Sequence, residues 1–378
     1  MKKKIFVIFF FGILLLFQPL GAQTWQSTKR LTWNSADSRM PKVTTDSNNF
    51  IHVVWHDGTP GNYEVYYKKS TDGGTAWTTK RLTWNTGASR NPVIAIDSNE
   101  NIHLAFEDSS HGMYEIYYMK STDGGTTWAA KRLTWNTGIS EYPAIAVDSN
   151  NHIHVVWWDD TSGNIEIFYK TSTDSGTTWT TRRLSWNPGE SLNPAIAVGP
   201  NNHIHVLWND DTPGNHEIYY KKSTNGGVAW TTQRLTWNSY TSEVSAIAVD
   251  SSNHIHVVWK DSSHGQPDLY YKRSTDGGGT WTTKRLTYNI GFSMAPAIDT
   301  DILNHIHVVW QDNTPGIEEI YYKRSTDGGT SWTMRRLTYT SDFSSSPSVA
   351  ADSLNQIHVV WMDMTPGNWE LFRKKGIQ

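Results

Sequence analysis

Short runs of alternating apolar and polar residues recur along this chain at a fixed interval. The string IHVVW and its variants begin every 51 residues, at Ile51, Ile102, Ile153, Ile204, Ile255, Ile306 and Ile357. Each interval holds four runs with a period of two, rich in β-branched and aromatic residues and separated by turns of Asp, Asn, Ser and Gly. This pattern predicts four β-strands per interval. In the third interval the predicted strands are 143–148, 152–158, 165–172 and 178–186.

The repeat predicts the architecture of the whole chain. Four strands in each of seven intervals, with no helical spacing, are typical of an all-β, seven-bladed β-propeller. The last interval lacks a fourth strand, whereas TKRLTWN at 28–34 repeats the outer-strand sequence at 79–85. We therefore expect the N-terminal strand to complete the last blade, which leaves no unpaired sheet edge. Residues 23–378 are predicted to form this single domain.

The first 22 residues have the pattern of a secretory signal peptide. Three lysines precede an apolar run, and the small residues Gly21 and Ala22 mark a cleavage position. The run of about 13 residues is shorter than the roughly 20 that a spanning helix requires. The pattern predicts a protein that is secreted, periplasmic or at the cell surface, with no membrane span in the mature chain.

Composition excludes several classes of function. The chain has no cysteine, so disulfides and thiolate metal sites are excluded. A formal net charge of -3 offers no basic field for nucleic acid. We assign most of the 20 tryptophans and 17 tyrosines to the core, because both faces of a blade pack on neighbouring blades. The sequence predicts a monomer without a cofactor.

One motif, Ser-x-Asp-x-Gly-x-x-Trp, lies between the third and fourth strands of six intervals. Its carboxylate can accept N–H groups of its own turn, its glycine permits a positive φ, and its tryptophan can cover the turn. This predicts a structural role for Asp72, Asp123, Asp174, Asn225, Asp276 and Asp327. The motif resembles the Asp-box, the bacterial neuraminidase repeat of sialidases and related propellers. That resemblance spans the mature chain and implies the fold rather than one activity.

Two other sets of chemically capable residues recur in every interval. Histidine follows the first isoleucine of each IHVVW string, and aspartate follows the string with an acidic residue seven positions later. Zinc, copper or calcium binding would use such groups. We favour buried, hydrogen-bonded histidines and acidic groups that brace a turn, and we predict no metal site.

A single site is expected where the repeats differ. Antiparallel strand order places the loop leading into each inner strand, and the loop between the second and third strands, on one face of the ring. The resemblance to sialidases implies an active site on that face, at the mouth of the central channel. Steps of 51 residues give three variable sets. The first set is Arg39, Arg90, Glu141, Leu192, Glu243, Met294 and Ser345; the second is Met40, Asn91, Tyr142, Asn193, Val244, Ala295 and Ser346; the third is His56, Glu107, Trp158, Asn209, Lys260, Gln311 and Met362.

These sets support a binding site for a glycan or an extracellular protein, without catalysis. The predicted ligand-binding residues are Arg39, Arg90, Tyr142, Glu141, His56, Glu107, Trp158, Lys260 and Glu243. A sialidase-like glycoside hydrolase is the alternative, and its catalytic residues would be Arg39, Arg90, Glu141, Tyr142 and Glu107. Arg39-Met40-Pro41 resembles the Arg-Ile-Pro of sialidases, but Ser38 stands where that family has an aromatic residue. A rigid extracellular scaffold is the third possibility.

Overall fold

A computed structural model describes residues 23–377 of the chain, and the predicted signal peptide at residues 1–22 lies outside this range. The described residues form 29 β-strands and no helix, so they include no helix able to cross a membrane. The strands form seven antiparallel sheets arranged as the blades of a propeller, which confirms the predicted fold class.

Six blades are continuous in sequence, each with its strands ordered from the channel outward. Blade 1 comprises β3 (Ser38–Thr45), β4 (Ile51–Asp57), β5 (Glu64–Ser70) and β6 (Thr78–Arg81). Blade 2 comprises β7 (Ser89–Ile96), β8 (Ile102–His111), β9 (Met113–Ser121) and β10 (Ala129–Arg132). Blade 3 comprises β11 (Ser140–Val147), β12 (Ile153–Asp159), β13 (Glu166–Ser172) and β14 (Thr180–Arg183). Blade 4 comprises β15 (Ser191–Val198), β16 (Ile204–Asp210), β17 (Glu217–Ser223) and β18 (Thr231–Arg234).

Blade 5 comprises β19 (Ser242–Val249), β20 (Ile255–His264), β21 (Gln266–Ser274) and β22 (Thr282–Arg285). Blade 6 comprises β23 (Ser293–Thr300), β24 (Ile306–Asp312), β25 (Glu319–Ser325) and β26 (Thr333–Arg336). Blade 7 combines β27 (Ser344–Ala351), β28 (Ile357–Asp363) and β29 (Glu370–Ile377) with β1 (Thr24–Trp25) and β2 (Lys29–Arg30).

The N-terminal residues close the ring as the sequence predicts. Thr24 lies opposite Ile377 and Lys29 lies opposite Arg373, both in antiparallel register with β29. The closing strand is divided into two short pieces instead of one. The innermost strands contact one another around the full circle, including β27 with β3. The last blade therefore has the outer partner that every other blade obtains from its own sequence.

The core lies between neighbouring blades, which is why the strands are apolar on both faces. The first seven residues of the second strand are all buried in six blades. Between blades 7 and 1, Val53 and Trp55 pack in one cluster with Val360 and Leu371. The outer strands are shorter than predicted: β14 ends at Arg183, and the following Leu184 bonds back to Ile167 through its backbone N–H.

Candidate ligand-binding site at the channel mouth

In each blade, a cluster of hydrogen bonds anchors the base of the loops at the channel mouth. In blade 1, one carboxylate oxygen of Asp57 accepts hydrogen bonds from Ser38 Oγ at 2.7 Å and from Trp55 Nε1 at 3.2 Å. The other oxygen accepts the backbone N–H of Thr59 at 2.9 Å. Glu64, seven residues after Asp57, forms an ion pair with Arg81 at 3.0 Å. The recurring acidic residues therefore hold the base of the loops.

The first and third variable sets lie side by side. Two residues of one blade, 17 positions apart, face each other across the two inner strands, as Arg39 does with His56 and Arg90 with Glu107. Cross-strand partners place their side chains on the same face of a sheet. Each blade thus presents one pair of variable side chains at the mouth.

The second variable set occupies a β-bulge in each innermost strand. Its members have positive φ, for example 48° at Asn91, 52° at Tyr142 and 49° at Val244, and the strand register shifts there. A bulge redirects one side chain and leaves its backbone N–H outside the ladder. The third-set residue of the preceding blade binds that N–H group in three places. His56 Nδ1 binds Asn91, Glu107 Oε2 binds Tyr142, and Gln311 Oε1 binds Ser346, at 3.2, 2.9 and 2.9 Å.

Arg90 lies between two aromatic rings at the mouth of blades 1 and 2. Its guanidinium carbon is 5.0 Å from the ring centre of Tyr63 and 5.5 Å from that of Tyr114, distances at which a cation and a ring attract. Its Nε has no hydrogen-bond partner within residues 23–377. A cavity with a volume of about 530 Å³ opens beside Arg90 and Tyr63.

Tyr63 and Tyr114 are absent from the residues predicted above. They belong to a fourth variable set, at the end of the loop between the second and third strands. Steps of 51 residues would have found it: Tyr63, Tyr114, Ile165, His216, Pro267, Glu318 and Trp369.

Glu107, Glu141 and Tyr142 extend this group into blade 3. Burial raises the pKa of Glu107 to about 7, and the negative charge of Glu141 adds to the shift. Burial also raises the pKa of Glu141, which the charge of Arg90 opposes. Tyr142 is 43% exposed, and its ring stacks on Trp158 with centroids 6.2 Å apart. The sector therefore combines a cation, two carboxyl groups and an accessible aromatic face.

The remaining predicted residues have other partners. Arg39 forms an ion pair with Asp37 at 2.6 Å, at the edge of the same sector. Burial, followed by the charges of Arg90 and Arg39, lowers the pKa of His56 to about 3, so this histidine is neutral at physiological pH. Lys260 and Glu243 form an ion pair with each other at 2.8 Å in blade 5.

The structure thus brings together Arg39, His56, Arg90, Glu107, Glu141, Tyr142 and Trp158 along blades 1 to 3. The pair in blade 5 stands apart from this sector.

The Asp-box turns lie on the opposite face. Asp72 Oδ1 accepts the backbone N–H groups of Thr75 and Ala76, both at 2.9 Å, and the hydroxyl of Ser70 at 2.9 Å. Asn225 makes the equivalent bond to the N–H of Ala229 at 2.8 Å. In these turns the polar atoms are used by the turn itself.

The recurring histidines are buried within the blades. In blade 1, His52 Nδ1 lies 2.7 Å from the hydroxyl of Tyr67, and Nε2 lies 3.1 Å from Asp46 Oδ2. Burial lowers the pKa of His52, and its bond to Asp46 opposes the shift. Among residues 23–377, no three histidine or acidic side chains converge in the manner of a metal site.

The sequence is similar to those of several known proteins. Residues 59–266 match the BNR repeat-like domain family, and the chain belongs to that family. It is 26% identical over 270 residues to the xyloglucanase Xgh74A of Acetivibrio thermocellus, a match that covers 61% of this chain. The matched part spans 31% of the xyloglucanase, about a third of that protein.

Solved structures share the fold at low sequence identity. A polysaccharide lyase of family PL25, an ulvan lyase, superposes with a TM-score of 0.63 at 11% identity, covering 91% of this chain and 95% of the lyase. The leech intramolecular trans-sialidase superposes with a TM-score of 0.55 at 13% identity, covering 92% of this chain and 70% of the enzyme. At these identities the likeness concerns the fold.

Proposed function

We propose that the protein is exported and binds a carbohydrate at the channel mouth, through the sector of blades 1 to 3, without catalysing its conversion. The observation that carries the proposal is the placement of Arg90. Its guanidinium is held by two tyrosine rings beside a cavity of about 530 Å³, and its Nε has no partner among residues 23–377. Arg90 is half-buried and lines that cavity, so the N–H groups at the end of its side chain, rather than the buried Nε, can bond an oxygen atom of a ligand.

The adjoining side chains suit a sugar ring. The exposed ring of Tyr142 can stack on the C–H face of a pyranose, while Arg90 and Glu141 can bond its hydroxyl groups. A cavity of this size falls in the range of small-molecule sites. Further support comes from the similar proteins, since a xyloglucanase, an ulvan lyase and a trans-sialidase all bear the names of carbohydrate-active enzymes.

Several contacts argue against sialidase-like chemistry. A tyrosine nucleophile needs a base on its hydroxyl group, but Glu107 uses its oxygens for the side chain of Asn91 and the backbone N–H of Tyr142. The pKa of Tyr142 is raised by burial and by the nearby carboxylates, which disfavours the phenolate. Arg39, the first arginine of the resemblance, is paired with Asp37.

A glycan array followed by calorimetric titration of the best glycan tests the proposal. Tyr142→Asn removes the stacking face at a position where Asn91 and Asn193 adopt the same positive φ, so the fold is retained. We expect binding to weaken by at least about tenfold, as loss of one aromatic anchor commonly costs that much. Ala295→Asn makes the matched change in blade 6, where Ala295 has the same positive φ, and should leave binding unchanged. Equal binding by wild type and Tyr142→Asn would contradict the site.

A fluorogenic sialoside tests the catalytic alternative separately. We expect no turnover by the wild-type protein. Turnover that disappears in both Arg39→Ala and Tyr142→Phe would establish a sialidase-like enzyme instead. Absence of both turnover and glycan binding would favour a scaffold.

A further inference from the structure

A ring of exposed aromatic side chains surrounds the propeller, one from each blade. They occupy the position just beyond each outermost strand, at intervals of 51 residues, and each is between 64% and 74% exposed. The seven are Trp33, Trp84, Trp135, Trp186, Trp237, Tyr288 and Tyr339. Core packing does not account for them, because most of each side chain faces solvent. A single exposed aromatic residue is common on a protein surface, but these recur at the same position of all seven blades and present the same flat face to a ligand each time.

Each aromatic ring is held in place by an arginine of its own strand. The guanidinium of Arg132 lies 5.9 Å from the ring centre of Trp135, and that of Arg336 lies 4.4 Å from that of Tyr339. These arginines are themselves anchored by a buried carboxylate, as Arg132 is by Glu115 at 2.6 Å. A ligand that stacks on such a ring pays little entropy to order it.

A lysine from the next blade lies across from the ring in three described cases. Lys68 Nζ is 5.6 Å from the ring centre of Trp33, Lys170 Nζ is 5.5 Å from that of Trp135, and Lys221 Nζ is 5.1 Å from that of Trp186. The aromatic residue and the lysine define what we call a rim groove, between the outer parts of two adjacent blades.

Two of the rim grooves contain cavities. The groove at Trp135 has a volume of about 350 Å³, and Thr161 and Thr181 contribute hydroxyl groups to its lining. The groove at Trp186 has a volume of about 420 Å³. Each groove therefore offers one flat aromatic face with hydroxyl or cationic groups at its side. This is the chemistry that a pyranose ring requires, with an apolar C–H face and a hydroxylated edge.

In the rim grooves, the aromatic position keeps its chemical character in every blade, whereas the lysine position does not. Two blades carry tyrosine in place of tryptophan, so the side chain changes while its aromatic face is kept. The lysine position is less uniform, since Met119 occupies it in blade 2, across from Trp84. An aromatic face is thus the feature common to all seven grooves.

We propose that the rim grooves bind sugar rings spaced along a polysaccharide, as a second site distinct from the channel mouth. A single groove would bind weakly, but a polymer that contacts several grooves gains affinity from multivalency. A membrane surface suits the arrangement less well. The outermost strands lie on the circumference, so the grooves open in seven directions, and the net charge of -3 gives no attraction to anionic lipid.

Affinity electrophoresis through gels containing xyloglucan or ulvan tests this proposal. The variant combines Trp135→Ser, Trp186→Ser and Trp237→Ser, and its melting curve is compared with that of the wild type to establish that it folds. We expect the wild type to be retarded by at least one of the polymers, and the variant to show an apparent association constant at least about tenfold lower. A control with Ile302→Ser, Leu303→Ser and Leu354→Ser removes three exposed apolar side chains outside the grooves and should migrate as wild type.

The outcomes separate this proposal from the channel-mouth site. Tyr142→Asn should leave polymer retention mostly intact, whereas the triple rim variant should leave binding of a short glycan at the mouth unchanged. Wild-type migration unaffected by both polymers, or retention unchanged in the triple rim variant, would overturn the rim proposal. Binding to phosphatidylcholine vesicles that is lost in the same triple variant, without polymer retention, would also overturn it in favour of a membrane surface.

Discussion

The two faces of the propeller use polar side chains differently. On the Asp-box face, Asp72 accepts hydrogen bonds from its own turn, and the same arrangement recurs in the other copies. At the mouth, Arg90 lines a cavity with its guanidinium between two tyrosine rings, and Tyr142 keeps an exposed ring. A repeated residue whose hydrogen bonds are all made within its blade serves the fold. A residue that departs from the repeat and keeps free bonding capacity is available for a ligand.

The rim aromatics combine the two properties. They are repeated in every blade, as structural residues are, yet they remain exposed, as binding residues do. Repetition alone therefore does not separate structure from function, and exposure must be considered with it. The predictions below test which repeated residues stabilise the fold and which are available to a ligand, in order of decreasing expected effect.

Removal of residues 23–34 should have the largest effect. The deletion takes away β1 and β2 and the buried side chain of Leu31, so β29 becomes an unpaired edge. We expect no soluble monomer by gel filtration and no cooperative unfolding transition. A truncated protein that melts like the intact one would show that ring closure is unnecessary.

Asp159→Ala should strongly destabilise blade 3. It leaves the hydroxyl of Ser140 and the indole N–H of Trp157 without their buried acceptor, which costs about 2 to 4 kcal/mol in the free energy of unfolding. Urea denaturation measures the change. Glu190→Ala, at an exposed residue of the mouth loops, is the control and should change stability by less than about 0.5 kcal/mol. Equal effects would undermine the structural role of the recurring aspartate.

Asp299→Ala should change the pH dependence of stability. Asp299 lies on the innermost strand β23, where five other blades have alanine, and burial raises its pKa to about 6. The native state therefore holds this proton more tightly than the unfolded state, and wild-type stability falls as pH rises through this range.

We expect the variant to gain on the order of 1 to 2 kcal/mol relative to the wild type between about pH 4.5 and about pH 8, as a carboxyl with a raised pKa is removed. Chemical denaturation at the two pH values measures the gain. A stability difference that does not depend on pH would mean that Asp299 titrates normally in the folded protein.

Asp174→Asn should have the smallest effect. Asn225 already fills the same place in blade 4 and accepts the equivalent backbone N–H. We therefore expect an unchanged unfolding midpoint and unchanged glycan binding. A marked loss of either property would reveal a use of the Asp-box carboxylate beyond its turn.

The sequence predicts most of the fold because the repeat is exact in length. The interval of 51 residues determines the blade count, and the copied outer-strand sequence at 28–34 predicts how the ring closes. The bulges were not predicted, since only Asn91 and Asn193 in the second set are residue types that favour positive φ. The side chains of Tyr142 and Val244 give no such signal.

The candidate site was predicted in part. Positions that vary between blades point to the mouth, but they cannot show that His56 and Glu107 bind the bulge of the next blade. Nor does the strand pattern separate the buried Trp157 from the exposed Trp135, because both follow apolar or β-branched neighbours. Their difference depends on the packing between blades, which is a tertiary property.

Hydrogen exchange with and without the bound glycan tests the central claim most directly. Using the glycan selected on the array, we predict slower exchange in the mouth loops of blades 2 and 3, around residues 86–91 and 137–143. The Asp-box turns, such as 70–77 and 121–128, should exchange at the same rate in both states. Protection confined to the Asp-box turns, with none at the mouth loops, would contradict the assignment of ligand binding to the channel mouth.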